Sequence, residues 1–217
     1  MRKETKKYFL SVEGETEKWY FEWLQRTINS TFAALYTVKL DCHVQKDPLK
    51  RAKGLVVLEK TEITHVMDRE SEEDVHIRQF ETALSRMKSA EKIGKSIKYN
   101  LGYTNFAFEL WIILHKADCN GSLVHRSQYL DPINRAYFEQ FENLSQYKHE
   151  TNFKRLLSKL TIDDVKHAIQ RSNIITRTNQ EQGYVLHQFK GYEYYTKNPS
   201  LSINKIVEKI ILECGLF

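Results

Sequence analysis

The sequence predicts an α/β fold with a mainly parallel sheet flanked by helices and a helical C-terminal half. Three observations carry that reading. Strand-like and helix-like segments alternate through the first 115 residues, two of the strand candidates end in acid, and after about residue 120 the periodic segments turn helical. A strand-helix alternation carries the chain back across one sheet edge after another, which leaves successive strands parallel.

Tyr8–Val12 (YFLSV) is the first strand. Trp19, Tyr20, Trp23 and Leu24 then fall at helical spacing, which predicts a helix from about Thr16 to Ile28. Val38–Val44 (VKLDCHV) alternates apolar and polar residues as a second strand. Pro48 fits the first turn of a helix running to about Lys60, with Gly54 as its weak point. Ile63–Asp68 (ITHVMD) is a third strand. From Asp74 to about Lys92, the residues Val75, Ile77, Phe80, Ala83, Leu84 and Met87 keep one helical face apolar. SIKYNL, residues 96–101, is a fourth strand candidate, followed by a strongly apolar helix from Asn105 to His115. Helices are expected at Pro132–Leu144, Thr151–Leu160, Ile162–Ser172 and Leu201–Cys214, the last introduced by Asn198-Pro199. With no internal repeat and no low-complexity linker, residues 1–120 read as an α/β core. Residues 121–217 read as a mainly helical extension packed on it, forming one structural unit with the core because no linker divides them.

Composition narrows the setting. The chain has 217 residues, 41% hydrophobic and 28% charged, enough for a substantial core. No apolar run reaches the roughly 18–20 residues of a membrane span. Cys42, Cys119 and Cys214 are widely spaced, with no CxxC pair, and read as reduced thiols of a cytoplasmic protein. The net charge is +5, and it is unevenly placed. Residues 145–217 hold eleven Lys/Arg against seven Asp/Glu, leaving 22 against 21 before them. An acidic centre beside a basic surface suits a phosphodiester enzyme, although solvated helical faces give the same count.

The acids of VEGETE, Glu13, Glu15 and Glu17, crowd the first strand's exit. Ligands of open parallel sheets bind beyond the carboxyl ends of the strands. Glu13 and Asp68 stand there on separate strands, and Glu70 follows Asp68 at i+2. If the strand continues, Asp68 and Glu70 project to one side, so Glu13, Asp68 and Glu70 form a candidate Mg²⁺ site, with Glu17 one helical turn away. Two-metal chemistry needs about this many acids. The plainer alternative makes Glu15 and Glu17 first-turn helix acids and 68–74 a solvated run. Glu109 is an acid inside an apolar helix beside Phe108 and Trp111, so it should be paired, metal-linked or protonated. Phe189–Lys197 (FKGYEYYTK) interleaves rings with lysines, which suits base stacking, although a packed tyrosine cluster on a loop is the preferred reading.

VEGETE at 12–17 with HVMDRE at 65–70 resembles the Toprim signature of one acid after the first strand and an acid-x-acid pair after a later one. TNFAFELWIILH at 104–115 resembles the characteristic helix of the RloB family, a Toprim-related group linked to bacterial phage defence and often encoded beside an AAA-type ATPase. QYKHE, DDVKHAIQRSN and NPSLSINKIVEKI resemble that family's C-terminal half, so the likeness spans nearly the whole chain. It implies a Toprim-like Rossmannoid core and a metal-dependent nuclease acting on RNA, such as tRNA, or on DNA as an abortive-infection effector. Glu13 would be a general acid/base or ligand, Asp68 and Glu70 would hold Mg²⁺ or Mn²⁺, and Glu17 would serve a second ion. Glu109 would be associated with the site, as, less strongly, would His115. Lys148, with Lys154 as a second candidate, would stabilise a pentavalent phosphate. A partner ATPase and a homo-oligomer are implied associations. Two departures stand out: Asp68-Arg69-Glu70 replaces the family's Asp-x-Asp, and Thr104-Asn105-Phe106 lacks its proline. The alternative is a catalytically inactive subunit that binds nucleic acid or a partner. No GxxxxGK[ST] loop supports a nucleotide phosphotransfer enzyme.

Overall fold

The computed structural model describes residues 3–121 and 123–217. Among them the alternation becomes a four-stranded sheet with every pairing parallel. The strands are β1 (Thr5–Val12), β2 (Thr37–Val44), β3 (Thr61–Arg69) and β4 (Ile97–Asn105), in spatial order β2-β1-β3-β4. Helix α1 (Glu15–Ser30) leads from β1 to β2, α2 (Pro48–Lys53) from β2 to β3, and α3 (Asp74–Ala90) from β3 to β4. The chain thus leaves β1 on one side for β2, then crosses back to lay β3 along the other flank of β1. That reversal opens a crevice at the carboxyl ends of β1 and β3, where open α/β sheets take ligands.

Period-two alternation sends the strand side chains into two cores. Tyr8, Leu10 and Val12 of β1, with Val38, Leu40 and Val66, join Tyr20 and Leu24 of α1 in the larger one. Ile63, Met67, Tyr99 and Tyr103 face Phe80, Leu84 and Met87 of α3 in the smaller one. The second half of the chain builds onto the larger core through α4 (Glu109–Leu114), α5 (Leu130–Tyr137), α6 (Leu144–Lys148), α7 (Glu150–Leu157), α8 (Ile162–Glu181) and α9 (Asn204–Glu213). Trp111, Ile133, Tyr147, Phe153, Ile169 and Ile210 belong to the same buried cluster as β1. Burying each large apolar side chain contributes about 1.5–3 kcal/mol, so sheet and helices are held by one shared core.

Several boundaries differ from the sequence expectation, each for a local reason. Asp47 caps α2 by accepting from Leu49 N at 3.0 Å, with Pro48 opening the helix, but α2 stops at Lys53 with Gly54 as its cap rather than reaching Lys60. Thr104 and Asn105 still pair with Asp68 and Arg69, so β4 takes residues expected in a helix and α4 begins only at Glu109. Phe138 turns left-handed at φ 56° and ends α5 well before Leu144. A separate α6 follows, capped by Asn143 accepting from Gln146 N at 2.9 Å. Ser172, Ile175 and Asn179 continue the buried stripe of α8, which runs to Glu181 instead of Ser172. A hairpin of β5 (Leu186–Phe189) and β6 (Tyr192–Tyr195) occupies the ring-and-lysine segment, turned by Lys190 and Gly191 at φ 54° and 87°. Two consecutive left-handed residues are what a tight two-residue hairpin requires. The last helix starts late because Ser200–Ser202 lies along β4, where Ser202 N donates to Tyr103 O at 2.8 Å and Asn105 N to Ser200 O at 2.9 Å. That strap covers what would be an open sheet edge.

Candidate functional site

The parallel register brings the acids together. Glu13 follows the last residue of β1, and its Oε2 accepts from the backbone N–H of Asp68 at 3.2 Å, stitching the ends of β1 and β3. Glu17, on the first turn of α1, is 7% exposed and accepts from its neighbour Thr16 Oγ1 at 3.1 Å. A Cβ on Gly14 would stand 2.9 Å from Glu17 Oε2, so the glutamate folds back over a backbone that glycine leaves bare. Asp68 accepts from Thr104 Oγ1, across on β4, at 2.5 Å. Glu109 opens α4 and is 1% exposed. Its Oε1 lies 2.9 Å from Lys148 Nζ, and its Oε2 has no partner among the described residues.

This gathering places several carboxylates against one lysine, and proton affinities respond. Glu13 is raised to about 7, first by loss of hydration and then by Glu17 and Glu70, with Lys46 and the Asp68 N–H pulling the other way. Asp68 is pushed well above the usual carboxylate range by lost hydration and by repulsion from Glu17, Glu109 and Glu13. Glu17 is raised by burial and by Glu109. Burial alone would lower Lys148, but the attraction of Glu109, Asp68 and Glu17 outweighs it and its affinity rises. Negative charge at this crevice therefore exceeds what the protein's own cations neutralise.

Glu70 behaves differently from the expectation that it shares a side with Asp68. The strand ends at Arg69, so i+2 alternation does not extend to residue 70. Its Oε2 turns to His76 Nε2 at 3.2 Å and Arg126 at 3.9 Å, and it joins Glu13 in lining a neighbouring cleft. His115 is a core residue, 1% exposed, bonded to Tyr20 Oη at 3.2 Å and Trp111 O at 2.9 Å; burial lowers it to about 4 and keeps it neutral. Lys154 pairs with Glu150 and lies over the Trp19 ring, with no ion pair to the acids among the described residues. Tyr192, Tyr194 and Tyr195 are buried, and Tyr194 packs edge-on against Phe80 at 4.9 Å, so these rings are packing residues. Sequence reasoning missed Thr104, Lys46, His76 and Arg126. None carried a clear signal: Thr104 lies near the end of β4 on the same rim, but beyond the strand expected at residues 96–101.

Among the described residues no three His, Cys, Asp or Glu side chains converge closely enough to hold a metal as they stand. The donor set nevertheless suits a hard divalent cation. It is all oxygen, it is short of positive charge, and the buried Glu109 Oε2 lacks a partner. Glu13, Glu17, Asp68 and Glu109 are the side chains that would hold such an ion.

The family model described as RloB-like protein matches residues 8–210. No curated protein and no solved structure matches the chain.

Proposed function

The chain belongs to the RloB-like family, and from that membership together with its acidic crevice we propose a metal-dependent nuclease of Toprim type that cuts nucleic-acid phosphodiesters as an antiviral effector. The observation that carries the reading is the excess of carboxylates, Glu13, Glu17, Asp68 and Glu109, at the carboxyl ends of β1 and β3, where among the described residues Lys148 is the one cation in ion-pair contact with them. Bound there, Mg²⁺ or Mn²⁺ would supply Lewis acidity and a more acidic water. The chain's own groups divide the remaining work. Glu13, placed by its bond to the Asp68 N–H, either helps to hold the ion or takes a proton from the attacking water and returns it to the leaving oxygen. Asp68 is fixed by Thr104 and Glu13 by the Asp68 N–H, which holds both carboxylates in place before substrate arrives. Lys148, 41% exposed beyond its contact with Glu109, offers positive charge as negative charge grows on the phosphate. RNA and DNA are both candidate substrates, a partner ATPase is the candidate regulator, and a homo-oligomer is a candidate assembly.

The test is cleavage of tRNA, single-stranded and plasmid substrates in Mg²⁺, Mn²⁺ or EDTA, with and without the suspected ATPase. Cutting that needs metal and disappears in Glu13→Ala and Asp68→Ala supports the nuclease. One observation favours a second reading, a subunit that binds without cutting: Glu70 is drawn into ion pairs with His76 and Arg126 rather than aimed at Asp68. Metal-independent binding with no turnover would establish that reading instead.

A further inference from the structure

We propose that the cleft leading away from Glu13 and Glu70 along the outward side of α3 is the track for one unpaired strand of nucleic acid entering the acidic crevice. The proposal rests on the nuclease-type reading of that crevice for its direction, but not for its geometry. One wall is a single stripe of α3, since Val75, Arg78, Gln79, Thr82 and Arg86 recur at three- and four-residue spacing. The facing wall is made by the strand ends, Glu13, Lys46, Asp47 and Glu70. The enclosed volume is about 660 Å³. A second hollow of about 480 Å³ shares Arg78, Thr82 and Arg86 with the first and continues past Glu81 and Ser85 to Phe189 of the hairpin. Arg86 reaches Asp47 on the facing wall at 3.1 Å, an ion pair that a bound strand would have to pass or open, and the two hollows adjoin there. From Val75 to Ser89 the helix beside them rises roughly 21 Å.

Its chemistry fits a phosphate backbone with bases. Arg78 is 77% exposed, and its contact with Asp74 is 3.8 Å between two solvated groups, an interaction that contributes little and releases easily. Lys46 is exposed at the mouth beside Glu13 and has no ion pair among the described residues. Val75, half-exposed, and Phe189, half-buried at the far end, give bases apolar surface on which to lie. Hollows of this size match a small-molecule or single-nucleotide site.

The experiment is fluorescence anisotropy of labelled single-stranded and duplex oligonucleotides in Ca²⁺, with integrity checked on gels, for wild type, Arg78→Glu, Thr82→Trp and, as a control on α8, Arg177→Glu. Melting curves should be unchanged for the exposed Arg78→Glu. The track predicts tighter binding of the single strand than of the duplex. It predicts about tenfold weaker single-strand binding for Arg78→Glu and Thr82→Trp, with a change of less than about twofold for Arg177→Glu. Losing one phosphate contact should also reduce the salt slope of Arg78→Glu by about 0.7. Unchanged affinity in both groove variants, preference for duplex, or no binding of either form overturns the track. The two readings separate cleanly. Groove-dependent binding without cleavage in Mg²⁺ or Mn²⁺ keeps the track and removes the nuclease; cleavage with groove-independent binding does the reverse.

Discussion

Asp68 and Arg69 are consecutive residues of β3, one facing each side of the sheet, and their charges meet opposite surroundings. Arg69 is 3% exposed and fully answered: it makes two 2.9 Å bonds to Glu72 and one of 3.3 Å to Thr196 O. Asp68 receives one hydroxyl bond from Thr104 and faces Glu13, Glu17 and Glu109. On the α3 side the charge closes a structural joint between strand and hairpin. On the α1 side the charge is left over. Natural folds tolerate unbalanced charge chiefly where a ligand completes it, and that difference between neighbours is what supports placing the proposed site on the α1 side.

The comparison breaks first at Arg69. Arg69→Ala strips Glu72 and Thr196 O of their partner and leaves a cavity where a buried side chain stood, which should cost about 3 kcal/mol in urea unfolding. Arg69→Met removes the same charge but keeps most of the volume, so it should cost about half that. Equal, negligible losses in both would show that the α3 side is no better compensated than the other.

On the acid side the effect has the opposite sign with pH. Glu13 holds its proton more tightly when folded, about 7 against an ordinary 4.5. Between those values the folded state binds more protons, so its stability contribution falls as pH rises and stays low above pH 7. After discounting for partial exposure, the penalty is about 2 kcal/mol. Wild type compared with Glu13→Gln should therefore be relatively most stable near pH 4.5 and least stable above pH 7. A pH-independent difference would remove the claim of charge excess.

The smallest effect sharpens the comparison by touching one side alone. Gly191 sits at φ 87° in the hairpin turn that supports the carbonyls around Arg69. Gly191→Ala should cost about 1 kcal/mol while leaving the pH response of the acid side as in wild type. Thermal melts of Gly191→Ala and wild type at pH 5 and 8 check both halves.

Much of the acidic cluster was legible in the sequence. Parallel strands end on one rim, which puts Glu13 after YFLSV and Asp68 after ITHVM on the same edge, and the pairing of β1 with β3 makes them neighbours. Glu109 announced itself as a carboxylate within an apolar helix. Its partner Lys148 was legible only by resemblance, because the two sit 39 residues apart and meet through packing of α6 on the shared core. Glu70 was misplaced because periodicity does not say where a strand stops; Arg69 turns to Glu72 and ends the alternation. The hairpin was missed because Lys190, a non-glycine residue, takes a left-handed conformation that its side chain does not advertise. Helix limits failed wherever a strap or cap outbid propensity, as at Asn105 and Leu201.

The central claim is that the carboxylates at the ends of β1 and β3 form a cation site. Calorimetric titration of Mn²⁺ into wild type and Asp68→Asn at pH 8 and pH 5 tests it most directly. The account predicts saturable binding to wild type at pH 8, at least tenfold weaker at pH 5 where protons occupy the raised carboxylates, and at least tenfold weaker in Asp68→Asn. No saturable binding at pH 8, or binding that Asp68→Asn leaves unchanged, would contradict it.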